Sequence, residues 1–283
     1  MSGAVCLIRL TMPSSPIRAE LKFLADLDQP LLYIPSRGGG DETEHVGNFT
    51  MHEVSIHDGR LDKPDSSLDV EGFRLVSSGT AVEDFFDDAQ VEGIYHEEVK
   101  ALLSEISGAA RIEIFDDTRR STSLARQKEQ KIREAADIVH NDYTARSGIQ
   151  RLRDHFADEP IDAERLLGVR FAIVNVWRSI GGPVLNHPLT LCDAATVRPA
   201  DLVSVERRAE ERIGEIQVAL FHPGQRWYYF PGMQTDEALL FKTFDSETDG
   251  RARFTIHTSV EDPTAPVDAP PRESIETRCL VFF

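Results

Sequence analysis

The sequence predicts a mixed α/β chain that is mainly β, a sandwich or jelly roll with helices packed outside it. Two observations lead to this prediction. Short strand candidates with turns every 8–14 residues fill the second half of the chain, and helical patterns are concentrated before them. The chain also shows no internal repeat and no heptad run.

The first 136 residues contain strand and helix signals in turn. PLLYIPS, NFTMHEVSIHDG and GFRLVSS have strand character, and RGGGDETE between the first two is interpreted as an exposed loop. HEEVKALLSEISG has the spacing of an amphipathic helix, and Gly108 is placed to end it. ARIEIFDD alternates like a strand. Residues 119–136 are charged and lack a clear period, so we interpret them as helix or loop near the mouth of a site.

The rest of the chain begins with helices and ends with strands. Residues 147–160 and 162–168 are predicted helices, and VRFAIVNVWRSI is a strongly apolar strand. VERRAEERIGE is interpreted as the solvated face of a helix. Further predicted strands are GEIQVALF, RWYYFPGM, EALLFKTFDS, RARFTIHTSV and ESIETRCLVFF. We expect one domain over residues 1–283, with a variable N-terminal part at 1–105 and a strand-rich core at 110–283.

Composition limits the classes of function. The chain has 283 residues, with 48 acidic against 31 basic side chains, and the net charge of −17 argues against nucleic acid or anionic membranes as partners. Cys6, Cys192 and Cys279 form neither a disulfide framework nor a Cys-x-x-Cys motif. No signal peptide or membrane span is predicted. We therefore expect a cytosolic protein. The long N-terminal segment is a candidate surface for forming a homodimer.

One triplet suggests a metal site. His140 and Asp142 form the only His-x-Asp in the chain. On a strand, residues i and i+2 point to the same face, so both side chains can reach one ion. Two histidines and one carboxylate are the usual ligands of non-heme ferrous oxygenases. His257, in a β-rich segment, is the best positioned third ligand by type, although His45, His52, His57, His155, His187 and His222 are further histidines.

The end of the chain adds a candidate anion site. Arg272 and Ser274 follow His257 in Arg-x-Ser order. Ferrous iron with one aspartate and a doubly charged 2-oxo acid would carry a net charge of −1, and one arginine would neutralise it. A guanidinium also offers a bidentate fork to a distal carboxylate, and a serine hydroxyl supplies a second donor.

Eight blocks then fall in the order of a known family. They are VHNDYT, AIVNVWRSIGGPV, PLTLCDAATV, DLV, GE, RWYYFPGMQTDEALLFKTFDS, ARFTIHTSVEDP and RESIETRCLVFF. Together they resemble a fungal and bacterial hydroxylase/desaturase family that includes gibberellin desaturase-like and cephamycin-pathway-like proteins. This family is similar to the Fe(II)/2-oxoglutarate-dependent dioxygenases, and the resemblance covers roughly residues 110–283.

The resemblance implies a double-stranded β-helix core, the cupin-like jelly roll, with flanking helices. It implies His140, Asp142 and His257 as ligands of Fe(II), and Arg272 with Ser274 as the clamp for 2-oxoglutarate, with O2 as the oxidant. Candidate substrate contacts are Tyr143, Asn175, Trp177, Arg178 and Gln225. Arg178 follows an apolar run and must be paired or face a cavity, so we expect it to bind a substrate carboxylate. Gln225 stands where the family often has a histidine.

The expected reaction is hydroxylation, desaturation or oxidative cyclisation of a small carboxylate, an amino acid or a secondary metabolite. Three alternatives stay open. A cupin-like hydrolase or isomerase could use the same ligands with zinc or manganese. The chain could be a non-catalytic jelly-roll partner in a biosynthetic pathway. An oxygenase could also chelate its substrate directly, without 2-oxoglutarate.

Overall fold

The computed structural model describes residues 16–209 and 213–283, so Cys6 and the opening segment lie outside the described residues. Its strands are β1 Ile17–Leu24, β2 Leu32–Ile34, β3 Glu44–Val46, β4 Phe49–Asp58, β5 Phe73–Ser77, β6 Arg111–Ser121, β7 His140–Asn141, β8 Phe171–Ser179, β9 Leu189–Cys192, β10 Leu202–Arg208, β11 Ile213–Ala219, β12 Trp227–Tyr229, β13 Glu237–Asp245, β14 His257–Ser259 and β15 Glu273–Phe282. Its helices are α1 Gly59–Asp62, α2 Asp88–Gln90, a π-helical turn Val91–Tyr95, α3 His96–Ser107, α4 Leu124–Gln130, α5 Ala145–His155, α6 Pro160–Leu167 and two 3₁₀ turns, Ala194–Thr196 and Pro199–Asp201.

The strands form two sheets. One has ten strands in the order β1-β4-β12-β9-β14-β7-β11-β10-β2-β3, and the other has five in the order β5-β13-β8-β15-β6. Along the chain, β6, β8, β13 and β15 lie in the smaller sheet, whereas β7, β9, β12 and β14 lie in the larger one. These eight strands cross between the sheets as in a double-stranded β-helix. The predicted fold class is therefore confirmed.

Strand β8 decides which side chains can reach the space between the sheets. All nine of its residues are buried, so successive residues face two different apolar environments. Val174 and Val176 pack with Val99 of α3 on the outer face. Trp177 packs with Leu191 of the larger sheet on the inner face. Inner positions of β8 are therefore 175, 177 and 179, and position 178 belongs to the outer face.

The helices cover the outer face of the smaller sheet and one end of the core. Val99 and Leu103 of α3 pack on β8, and α3 ends where the sequence predicts, at Gly108 with a φ of 70°. Thr144 is the N-cap of α5, and its hydroxyl accepts a hydrogen bond from the backbone N–H of Ser147 at 3.0 Å. The start of α5 is therefore fixed two residues after Asp142.

Strands from the first 110 residues join both sheets. β5 pairs with β13, and β4 pairs with both β1 and β12. A further bridge joins Lys22 of β1 to Ile138, just before β7. The division of the chain at residues 105–110 stays a prediction, but the early strands are hydrogen-bonded to the core.

The helix predicted for VERRAEERIGE is wrong. Residues 205–208 end β10, and residues 213–215 begin β11, its antiparallel partner. Val205 is buried, whereas Glu206 and Arg208 are exposed on either side of Arg207. The segment alternates with the period of two that a half-exposed strand requires, and its charged composition concealed that period.

Candidate active site

His140 and His257 meet on neighbouring strands. β7 and β14 are antiparallel and pair these two residues directly, so their rings lie with centroids 4.4 Å apart. Nδ1 of His140 lies 2.9 Å from the carbonyl of Ile138, and Nδ1 of His257 lies 2.9 Å from the carbonyl of Thr255. A carbonyl only accepts, so Nδ1 carries the proton in each ring and Nε2 keeps its lone pair. Both rings are thus prepared to bind a metal through Nε2.

Asp142 completes the group. Its Oδ1 lies 3.7 Å from His140 Nε2, and the ligand atoms of the two histidines and the aspartate all lie within 4.8 Å of one another. Its Oδ2 accepts hydrogen bonds from Asn175 Nδ2 at 2.8 Å and from Arg278 Nε at 3.0 Å. One oxygen is therefore held by the protein while the other faces the histidines.

The electrostatics of the group favour metal binding. Burial, and then the neighbouring His257, lower the pKa of His140 to about 4. Burial also lowers the pKa of His257. Burial alone would raise the pKa of Asp142, but Arg278 and the two imidazoles outweigh it and hold that pKa well below its usual range. At neutral pH the site therefore presents two neutral imidazoles and one carboxylate, the protonation states that a metal needs.

Arg272 precedes β15 and faces the inner side of the smaller sheet. The residue is 5 % exposed, and its Nε and Nη2 atoms are buried without a hydrogen-bond partner in the part of the chain that the structure describes. Its guanidinium lies over the ring of Trp177, 5.6 Å from the centroid, and burial lowers its pKa to about 9. A buried cation with unpaired donors is costly, so this position favours a bound anion.

The other predicted site residues separate into two groups. Tyr143 lines a cavity of about 180 Å³ that His140 and Asp142 also line. Asn175 and Trp177 do not line it: Asn175 donates to Asp142, and Trp177 contacts Arg272. Ser274 is buried on the inner face of β15, paired with Ser179 and next to Arg120 of β6.

Arg178 and Gln225 do not reach the cavity. Arg178 is on the outer face of β8, where it donates to the carbonyl of Thr235 and the hydroxyl of Ser78 and lies over the ring of Tyr95. Gln225 lies in the turn before β12 and donates through Nε2 to the carbonyl of Leu220 at 3.0 Å. The expected cavity positions of both residues are therefore corrected. Both residues have structural partners instead: Arg178 contacts Thr235, Ser78 and Tyr95, and Gln225 contacts a backbone carbonyl.

Several residues that line the cavity were not predicted from the sequence. Arg278 follows Arg272 and Ser274 on the same face of β15, so the period of two was a usable signal for it. Arg120 and Arg133 lie within the charged segment 119–136 that was expected near a site mouth, and both line the cavity. Tyr33 and Arg207 come from β2 and β10, which pair only through long-range contacts, and no local signal identifies them.

Comparison with known proteins agrees with this architecture. The family described as an oxidoreductase/YMDC permease-like domain matches residues 21–282. The chain is 35% identical over 249 residues to an Fe(II)/2-oxoglutarate-dependent dioxygenase, nvfI, of Aspergillus novofumigatus (strain IBT 16806), covering 85% of this chain and 87% of that protein. It is 33% identical over 276 residues to the hydroxylase/desaturase CTB9 of Cercospora beticola, covering 87% of this chain and 83% of the other.

A solved structure of the iron and alpha-ketoglutarate-dependent endoperoxidase NvfI superposes with a TM-score of 0.82 at 32% identity, covering 95% of this chain and 99% of the other. In residues 16–209 and 213–283, no helix is both long enough and apolar enough to cross a bilayer. The fold, the grouped ligands and the relatives agree on one class of enzyme. The chain belongs to the family of Fe(II)/2-oxoglutarate-dependent dioxygenases and hydroxylase/desaturases.

Proposed function

We propose that His140, Asp142 and His257 hold the ferrous iron on which this family depends. The observation that supports the assignment is the grouping itself: His257 lies more than a hundred positions after the other two residues in sequence, yet the ligand atoms of all three converge within 4.8 Å. The donor set of two imidazoles and one carboxylate fits Fe(II) and leaves positions open for a co-substrate and oxygen.

We propose Arg272, assisted by Ser274, as the residue that binds the distal carboxylate of 2-oxoglutarate. Its two unpaired, buried guanidinium nitrogens are the donors that a carboxylate would satisfy. The charges agree with this role, since iron, one aspartate and the co-substrate sum to −1 and Arg272 supplies +1. Trp177 covers one side of the guanidinium and restricts its direction.

When bound, iron with 2-oxoglutarate supplies the oxidising power for an unactivated C–H bond, and the chain supplies binding, orientation and exclusion of water. Asn175 and Arg278 hold one oxygen of Asp142 and thereby fix the other. The carbonyls of residues 138 and 255 keep the protons of both imidazoles on Nδ1. The reaction proposed is hydroxylation, desaturation or oxidative cyclisation of a small carboxylate, an amino acid or a secondary metabolite.

The alternatives explain the site less well. A zinc or manganese hydrolase would not need the unpaired Arg272, and neither would an oxygenase that chelates its substrate directly. A non-catalytic partner would have no reason to keep a cavity of about 180 Å³ beside the three ligands. Expression in the cytosol and pairing of two copies stay predictions, and sedimentation of the purified chain would test the second.

Anaerobic titration tests the assignment. We expect Fe(II) and 2-oxoglutarate to give the visible absorbance band of their chelate in the wild-type protein. Asp142→Ala should abolish the band, and Arg272→Met should raise the Kd of 2-oxoglutarate at least about tenfold, because a charge-assisted bidentate contact is lost. The matched control is Arg178→Met, a second buried arginine on the outer face of β8, which should leave that Kd within about twofold. A wild-type protein that binds iron but not 2-oxoglutarate would contradict the proposal.

A further inference from the structure

The cavity next to the proposed iron site is rich in arginine although the chain is acidic. Five arginines line it, Arg120, Arg133, Arg151, Arg207 and Arg278, against three carboxylates, Asp116, Asp142 and Glu215. The whole chain carries 48 acidic and 31 basic side chains. The lining of the space in front of His140 and Asp142 thus carries an excess of positive charge.

The three carboxylates already have partners. Arg278 forms ion pairs with both Asp116 and Asp142. Glu215 is paired with Arg146, which does not line the cavity. These ion pairs involve all three carboxylates of the lining. Of the five lining arginines, only Arg278 takes part in them. Arg151 lies over the ring of Phe115, 4.9 Å from the centroid.

Arg120, Arg133 and Arg207 remain without a carboxylate. Within residues 16–209 and 213–283 none of the three forms an ion pair, and Arg120 donates only to the carbonyl of Glu134. Burial, and then the charges of Arg120 and Arg207, lower the pKa of Arg133. Like charges held this close repel one another, and a bound anion would relieve that repulsion.

The chain fixes these arginines in place. The backbone N–H of Ser121 donates to the carbonyl of Arg133 at 3.0 Å, which holds Arg133 beside the end of β6. Gly38 packs against the carbonyl of Lys131, where an added Cβ would lie 2.6 Å from that oxygen, so the glycine-rich loop lies against this segment. Tyr33 pairs with Arg207 across β2 and β10 and also lines the cavity. Arg133, Arg207 and Tyr33 come from strands and loops outside the eight-stranded core, whereas Arg120 is on β6.

We propose that Arg133 and Arg207, with Tyr33 beside them, bind a carboxylate of the prime substrate and place its reacting carbon toward His140 and Asp142. The inference rests on the proposed function and narrows its substrate to an organic carboxylate. This anion is distinct from 2-oxoglutarate, since Arg272 does not line this cavity. Arg178 was the residue predicted to bind the substrate acid, but in the structure Arg133 and Arg207 lie in front of the site instead.

The test compares two probes of the same shape that differ in charge, benzoate and benzamide. Both are titrated calorimetrically, without oxygen, into protein saturated with Mn(II) and 2-oxoglutarate, so that Arg272 is already occupied. We expect benzoate to bind at least about tenfold more tightly than benzamide, because charged hydrogen bonds to two arginines are available only to the acid. The double variant Arg133→Gln/Arg207→Gln should lose this preference.

The matched control is Arg208→Gln, the neighbouring exposed arginine of β10, which is paired with Glu206 and should keep the preference unchanged. An unchanged Kd for 2-oxoglutarate in the double variant shows that it is folded. If the double variant does not fold, the two single variants are tested instead. In each of them the preference for benzoate over benzamide should fall at least about threefold.

Equal binding of benzoate and benzamide to the wild-type protein would overturn the inference, and so would a preference that survives in a folded double variant. Phenyl phosphate binding about tenfold more tightly than benzoate would also overturn it, by making phosphate the recognised group. A failure of the proposed function would show separately, as no binding of 2-oxoglutarate in the first titration.

Discussion

Asp142 shows how single residues prepare this site. Asn141, next to it in the chain, is fully buried and donates to the carbonyls of Tyr143 and Thr243. These bonds fix the backbone on both sides of the aspartate. Asn175 and Arg278 then fix one of its oxygens. The carboxylate is therefore oriented before any ion binds. Its side-chain entropy is lost when the protein folds, so metal binding does not have to order it.

Asn175 is a positioning residue whose contribution can be measured. Replacing Asn175 by Ala removes one of the two donors to Asp142 Oδ2 and leaves the three ligands unchanged. We expect the affinity for Mn(II) or Fe(II) to fall about tenfold, the low end of the range for losing an outer-sphere contact. Competition with a chelating dye would measure it, with circular dichroism to confirm the fold.

Gln225→Ala is the control for that measurement, since Gln225 is also buried and polar but binds the carbonyl of Leu220, away from the ligands. Its metal affinity should equal that of the wild type. If both variants weaken binding equally, general loosening of the core explains the effect and Asn175 has no specific role.

The contrast between Arg178 and Arg272 shows what sequence can and cannot resolve at the residue scale. Both are buried arginines in apolar surroundings, and residue type alone predicts a cavity role for both. Arg178 is held by Thr235, Ser78 and Tyr95, which lie 57, 100 and 83 positions away in sequence. Within the described residues it leaves only Nε unpaired, whereas Arg272 leaves both Nε and Nη2 unpaired. Pairing over such distances depends on the fold, and no local pattern encodes it.

At the scale of elements, a bulge in β13 builds a buried ion cluster. The register with β8 shifts between Lys242 and Phe244. In a regular strand residues i and i+3 face opposite sides, but the extra residue lets Lys242 Nζ reach Asp245 Oδ2 at 2.7 Å. Lys242 also contacts Asp69 Oδ1 at 2.6 Å, and Arg170 contacts Asp245 at 2.8 Å. This cluster joins β13 to the loop before β5 and to the start of β8.

Lys242→Met should therefore destabilise the protein strongly. The side chains of Lys242 and Asp245 are 1% and 0% exposed, so removing the ammonium leaves a buried carboxylate with Arg170 as its remaining cation. We expect the free energy of unfolding to fall by about 3 kcal/mol, the low end for breaking a buried pair because Arg170 remains. Urea unfolding at pH 7 measures it.

Lys100→Met provides the comparison. Lys100 and Glu97 form an ion pair on the exposed face of α3, and such solvated pairs contribute little to the free energy of unfolding. A loss of similar size in both variants would mean that the β13 cluster is as well solvated as the helix surface, contrary to its burial.

At the scale of the whole molecule, the sequence predicted the class of fold but not the full set of strands in the larger sheet. Alternation and turn spacing identified β8, β13 and β15, whose burial is nearly complete along their length. They did not show that β10 and β11 widen the larger sheet, nor that β2, only three residues long, pairs in parallel with β10. Short edge strands have too few residues to display a period, so their place depends on partners distant in sequence.

Depressed carboxylate pKa values across the molecule set its response to acid. Burial would raise the pKa of Asp245, but Arg170 and Lys242 outweigh it and lower that pKa below 3.8. The pKa values of Asp69 and Glu237 are lowered in the same way, by lysine and arginine partners of Asp69 and by Arg60 beside Glu237. In the unfolded chain these groups regain ordinary values near 4, so at low pH the unfolded state binds more protons than the folded state. Their stabilisation is complete above about pH 5 and is lost as the pH falls through 4 toward the folded pKa.

Asp245→Asn isolates this effect, because asparagine cannot titrate. At pH 7 we expect the variant to unfold at a clearly lower urea concentration than the wild type, since an uncharged side chain then faces Lys242 and Arg170. At pH 3 the wild-type carboxylate has lost part of its advantage, and the difference between the two midpoints should shrink. Glu83→Gln, which alters an exposed carboxylate, should give the same small difference at both pH values. A wild-type advantage over Asp245→Asn that is constant from pH 7 to pH 3 would show that the cluster acts through packing, with no contribution from the charge of Asp245.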